Sequence, residues 1–160
     1  MASLLRGVGF ITGAASGEAG LLDCIFRSKL TSWEGIGKAT AFSFAKHGAK
    51  GLGLGDLNSS AVNATAAELK ESFSDLEILP LELDVTNEQS IDDAVARAAS
   101  KFGRIDYAVN NAGIGGPLTL SAEHSTADWQ KVMNVNLNGV WMSSRAEIRQ
   151  MLKQQPLEPK

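Results

Sequence analysis

The chain has 160 residues, 44% of them hydrophobic and 21% charged, with a formal net charge of −3 and a pI near 5.4. That is one domain's length, enough to bury a core, and its acidic balance without any Lys/Arg cluster excludes a nucleic-acid surface. No apolar run approaches the ~20 residues of a membrane span. The single cysteine, Cys24, excludes an internal disulfide and a cysteine-based metal cage, so no metal site is expected and the default compartment is the reducing cytoplasm.

In chain order, Phe10-Ile11-Thr12 is a short apolar strand that runs into Gly13-Ala14-Ala15-Ser16-Gly17. A glycine turn of this kind should open directly into a helix. Its backbone N–H groups and the positive end of the helix dipole can then hold a pyrophosphate. Glycine is required because the chain turns tightly and a Cβ would hold the ligand off. Here residues 18–34, a block of 17, intervene before Gly35-Ile36-Gly37 and a helical pattern. Read across the gap, Thr-Gly-Ala-Ala-Ser-Gly-Ile-Gly is a phosphate-binding turn. Within the block, Leu21, Leu22, Ile25, Phe26, Leu30 and Trp33 fall on one side of a helix, consistent with a flap over the cleft or with an apolar loop.

The helix after Gly37 carries Thr40, Ala41, Phe44 and Ala45 at helical spacing and stops at Gly48. Lys50 to Asp56 is a strand. Its Gly51-x-Gly53-x-Gly55 is a decoy for a nucleotide motif, since no helix begins there; close backbone neighbours explain it better. Asn58-Ser59-Ser60 caps a helix with a core face of Val62, Ala66, Leu69 and Phe73. Leu79 to Val85 alternates as a strand, and Pro80 places it at a sheet edge. Thr86 to Gln89 reads as a capping box for a helix closed by Gly103. Ile105 to Val109 is a fourth strand, followed by Asn110-Asn111-Ala112-Gly113. Ser125 with Asp128 starts a long helix, 126–152, with a predicted inner stripe of Trp129, Val132, Met133, Leu137 and Val140. Residues 154–160 read as a frayed tail. Strands alternating with helices imply βαβ units and a parallel sheet with ligands at the carboxyl ends of the strands.

Four positions carry candidate chemistry. Asp56 stands 19 residues beyond Gly37, close to the ~20 expected of an acid that binds the adenosine ribose diol. A carboxylate there accepts from the 2′- and 3′-hydroxyls and repels a 2′-phosphate. Ser16, in place of a basic residue, also favours NAD over NADP. A strand-end aspartate that merely caps the next turn fits Asp56 as well. Asp84 and Val85 end the third strand, where they can meet an adenine ring or serve as a strand-to-helix cap. Asn110 to Gly113 offers small residues against which a ribose can lie, or a simple turn. Asn136, seven residues after Trp129, is either a positioner for a catalytic group or an amide satisfied by main chain. A Rossmann methyltransferase also uses a glycine-rich first turn, but Asn110 to Gly113 and the missing acidic loop near that turn argue against it.

Together, Thr12 to Gly17 joined to Ile36-Gly37, Asp84-Val85-Thr86, Asn110 to Gly113 and Asn134 to Gly139 make the chain resemble the short-chain dehydrogenase/reductase family. The resemblance implies a Rossmann-type, doubly wound α/β fold, here an incomplete single NAD(P)-binding domain over 1–160 with about four strands in the order 3-2-1-4. It implies that Thr12, Gly13, Ser16, Gly17, Gly35, Ile36 and Gly37 hold the dinucleotide, NAD by preference or NADP. Asp56, Asp84, Val85, Asn110, Asn111, Ala112 and Gly113 would bind its adenosine half and the nearby ribose, and Asn136 would be the catalytic asparagine. The family's catalytic serine and Tyr-x-x-x-Lys are missing: the only tyrosine is Tyr107, and Asn111 stands where its lysine would be. The expectation is therefore the cofactor-binding half of an oxidoreductase acting on a small carbonyl or alcohol, inactive alone. The alternative is a non-catalytic nucleotide-binding fragment that pairs with a relative. Homo- or hetero-oligomers would form through the 126–152 helix. Because removing residues 18–34 restores the turn without losing a residue, the block also fits a translated, unspliced intron of 17 codons.

Overall fold

The computed structural model describes residues 4–15 and 35–158. Within them β1 (Val8–Thr12), α1 (Ile36–Lys46), β2 (Gly51–Asp56), α2 (Ser59–Ser72), β3 (Glu77–Glu82), α3 (Glu88–Phe102) and β4 (Tyr107–Asn110) follow in strict alternation. After β4 come α4 (Thr126–Met133), a π-helical segment (Asn134–Gly139) and α5 (Val140–Met151). All strand pairs are parallel and the sheet order is β3-β2-β1-β4, the expected doubly wound arrangement. Pro80 lies on an outer strand, as its missing N–H requires.

Successive side chains of a strand point to opposite faces, and β1 shows it plainly. Phe10 packs with Leu81, Ile91, Ala98 and Ala146 on the α3/α5 side, whereas Ile11 packs with Ala41, Leu52, Leu54 and Val62 on the α1/α2 side. The glycines of β2 face α3. A Cβ on Gly53 would lie 2.7 Å from the Phe10 ring, and one on Gly51 2.8 Å from Phe102. The glycine triplet is thus a packing device, because large side chains of β1 and α3 fill the space.

Local chemistry sets the helix ends, with one correction. The Asn58 side chain accepts from Ala61 N to cap α2, and Gly103 closes α3 at φ 77°. The expected capping box begins one residue late: Asn87, not Thr86, caps α3 through Gln89 N and Ser90 N, because Asp84 engages Thr86 instead.

The long helix departs furthest from expectation. Trp129 is 60% exposed and Leu137 55% exposed, so the predicted inner stripe is not the buried one. The buried side presents Gly139, Ser143, Ala146 and Glu147. The wider π turn shifts the phase of everything downstream, and at Gly139 the segment between β3 and α3 comes close: a Cβ there would sit 3.0 Å from Val85 O. Gln154 exchanges two hydrogen bonds with the main chain of Ile105, at 2.8 Å each, and Arg6 donates to Glu158 O.

Candidate functional site

At the carboxyl ends of the strands, β1 leaves the sheet at Gly13, which has φ +65°. A side chain there would be strained, and its Cβ would lie 2.8 Å from Ala112 Cα. The start of α1 packs directly on this turn: a Cβ on Gly37 would stand 2.1 Å from Gly13 O. Strand and helix therefore meet as the uninterrupted motif demands, although 17 residues of chain separate Gly17 from Gly35. Ser16, Gly17 and the block 18–34 lie outside the described residues.

The end of β4 is fastened to the same turn. Thr12 Oγ1 accepts from Asn111 N and Ala112 N, both at 3.1 Å, and Asn111 Nδ2 donates to Gly13 O at 2.9 Å. Asp56 closes the turn from the other side: Oδ2 accepts from Ala15 N and Oδ1 from Asn58 N, each at 2.9 Å. The capping reading of Asp56 is what these bonds show, and the side chain also borders the cleft. It caps its own turn, and the carboxylate is held in one orientation with a lone pair left on each oxygen. Asp84 Oδ1 accepts from Thr86 N and Thr86 Oγ1, the strand-to-helix cap, while Asp84 also borders the cleft.

These residues surround one cleft of about 1250 Å³, above the ~300–1,000 Å³ of ordinary small-molecule sites. Gly13, Ala15, Gly35, Ile36, Asp56, Asp84, Val85, Asn111, Ala112 and Gly113 all line it. Thr12 and Gly37 lie beneath the lining and shape it. Sequence reasoning missed the far wall, formed by Ile114 and by Ala127, Lys131, Asn134 and Val135 of the long helix. Nothing in residue type singled these out, since the loop from β4 decides which turn of the helix faces the cleft.

Two predicted side chains sit elsewhere. Asn110 points away from the cleft: its Nδ2 donates to Ser144 Oγ at 3.0 Å and to Glu147 Oε2 at 2.8 Å. Alternation along β4 puts Asn110 and Asn111 on opposite sides. Asn136 is exposed and its amide is satisfied by main chain: it clamps the loop after β4 by accepting from Ile114 N and donating to Ile114 O, both at 2.9 Å. Glu147 was missed altogether. It is 2% exposed, and burial pushes its carboxyl above the usual range, opposed by the hydrogen bond from Asn110. The spacing Gly139, Ser143, Glu147 at every fourth residue was the available signal.

Among the described residues no group of three or more His, Cys, Asp or Glu could hold a metal ion, and no helix is long and apolar enough to cross a membrane.

The geometry meets independent likeness. The chain belongs to the short chain dehydrogenase family, which it matches over residues 31–156. It is 40% identical over 126 residues to the short-chain dehydrogenase srdC of Neurospora crassa, which covers 77% of this chain and 46% of that one. It is 36% identical over 120 residues to levodione reductase of Leifsonia aquatica, covering 75% of this chain and 45% of the relative. A crystal structure of levodione reductase superimposes with a TM-score of 0.78 at 32% identity over 94% of this chain and 51% of that one. A short-chain dehydrogenase/reductase from Burkholderia phymatum solved in complex with NAD gives 0.76 at 29% identity, over 96% and 47%. The chain thus spans about half the length of the relatives it matches. The family is one of NAD(P)-dependent oxidoreductases.

Proposed function

We propose that this chain is the dinucleotide-binding part of a short-chain oxidoreductase and binds NAD in preference to NADP. The observation that carries the reading is the single cleft in which the Gly13 turn, the start of α1, Asp56 and the Asn111 to Gly113 segment converge. The residues fit the group: Gly13 and Gly37 let the turn, the start of α1 and the end of β4 pack closely at the edge of the cleft, and among the described residues the first turn of α1 has no side-chain cap, which suits its N–H groups to phosphate oxygens. Asp56 supplies fixed acceptor oxygens for a ribose diol and a like charge against a 2′-phosphate.

When bound, the nicotinamide supplies or accepts hydride at C4, exchanged with a carbonyl or alcohol carbon. By the family resemblance the proton donor for that oxygen would be a tyrosine followed four residues later by a lysine, a pattern this sequence lacks. Tyr107, the only tyrosine, lies in β4 with its ring edge-on to Phe44 at 6.1 Å, away from the cleft. Asn136, as positioned on Ile114, would hold the loop that borders the nicotinamide end. The chain alone is accordingly proposed to bind without turnover, in a single domain within the cytoplasm.

Calorimetric titration of NAD and NADP tests this. NAD should bind at least about tenfold more tightly, a difference of ~1.4 kcal/mol, and Asp56→Asn should erase most of it. Equal affinity in the parent chain would overturn the cofactor assignment, and substrate-dependent change in nicotinamide absorbance would overturn the absence of turnover. A second reading, a partner-pairing module, is favoured by the exposed apolar side of α4 and α5.

A further inference from the structure

Behind the cleft lies a buried polar set that neither nucleotide binding nor hydride transfer uses. Glu147 and Ser144 of α5 both receive Asn110 Nδ2, and Glu147, at 2% exposure, has no cation beside it among the described residues. Three more polar atoms of the set, Asn110 Oδ1, Ser143 Oγ and Glu147 Oε1, are buried without a protein partner. Burying polar groups in this way is expensive, so the cluster calls for an account. Its position supplies one. Asn110 pairs in register with Thr12, and the next two residues of β4's exit donate to Thr12 Oγ1 and to Gly13 O. Whatever fixes Asn110 fixes the floor of the cleft.

We propose that Glu147 is a positioning residue of the dinucleotide cleft, acting through Asn110 to hold the end of β4 against the Gly13 turn, and that it ties cofactor affinity to solution pH. The inference rests on the nucleotide reading given above. Among the described residues, the elements packed on Glu147 bring no compensating charge. α3 presents Ile91, Ala94, Val95 and Ala98 towards α5, its Glu88 is taken by Arg145, and β4 presents Asn110, with the Tyr107 ring against Phe44. On α5 itself Arg145 is committed to Glu88 and stacked on Trp141, and Arg149 is exposed. The neutral acid is therefore the form that suits the folded chain, and burial raises its pKa accordingly. A raised folded-state pKa contributes stability that is fully present below the unfolded value and is lost as pH rises through the folded one. On ionisation, the buried charge is relieved by parting α5 from the end of β4, which loosens Asn111 and Ala112.

The full chain is compared with Glu147→Gln, which mimics the neutral acid, and Glu147→Leu. Amide exchange at Asn111 and Ala112 is followed across pH, corrected for intrinsic rates, beside NAD titrations at the same pH values. In the parent, protection and NAD affinity should fall together as pH rises. Glu147→Gln should match the parent within about twofold at low pH and stay flat, and Glu147→Leu should bind about tenfold more weakly throughout. Superimposable pH profiles for parent and Glu147→Gln would overturn the role of Glu147 even while NAD binds. Should Glu147→Leu not fold, the Gln profile still decides. Failure of both chains to bind NAD refutes the nucleotide reading and with it the claim on affinity; protection at Asn111 and Ala112 then reports separately on whether Glu147 holds β4.

Discussion

Gly13 concentrates the demands of the site in one position. Its φ of +65° is open to glycine, and its missing Cβ leaves Ala112 room to approach. Gly13→Val should therefore strain the backbone and push β4's exit outward, destabilising the chain by about 2 kcal/mol or more, or roughly 4–8 °C in Tm. Thermal unfolding together with loss of NAD binding checks this; an unchanged Tm would mean that the turn is not built this way. Gly13 was legible in the sequence because backbone chirality restricts residue type there, and Asp56 because a strand-end carboxylate caps the turn that follows it. Asn110 and Glu147 were not: which amide of an Asn-Asn pair faces the cleft depends on strand register, and a buried glutamate looks like any helix-surface glutamate until the helix phase is known.

At the scale of elements, the strands and their parallel pairing followed from alternation, the outer place of β3 from one proline and the full order from the family resemblance, whereas the face of the long helix did not follow. Choosing large apolar residues as the inner stripe assumed a uniform 3.6-residue period and a roomy neighbour. The π segment breaks the period, and the buried side presents Gly139, Ser143, Ala146 and Glu147 in place of the large apolar residues. The large residues are left outside: Trp129, Leu137, Trp141, Ile148 and Leu152 are all exposed. An apolar strip of this kind usually marks an association surface. We propose pairing of chains through it, so that Trp141→Glu should shift the sedimenting species towards monomer at equal concentration. A parent chain already monomeric at high concentration would remove the proposal.

For the molecule as a whole, the block 18–34 enters a fold whose sheet, cores and cleft are otherwise continuous. Lengthening a connection from ~6 to ~23 residues costs only about 1.2 kcal/mol in loop closure, and the Gly13–Gly37 contact is made regardless. Deleting residues 18–34 should preserve the fold and keep or tighten NAD binding. Weaker binding after deletion would show that the block contributes to the site, and transcripts that all retain the 17 codons would exclude an unspliced intron.

The fit of Gly37 against Gly13 has one more consequence. If the register of β1 between β2 and β4 brings helix and turn together without help from the peptide that joins them, that peptide is dispensable. A segment ending at Gly17 and a separate one beginning at Gly35 should find each other on co-expression and rebuild the same architecture from two pieces.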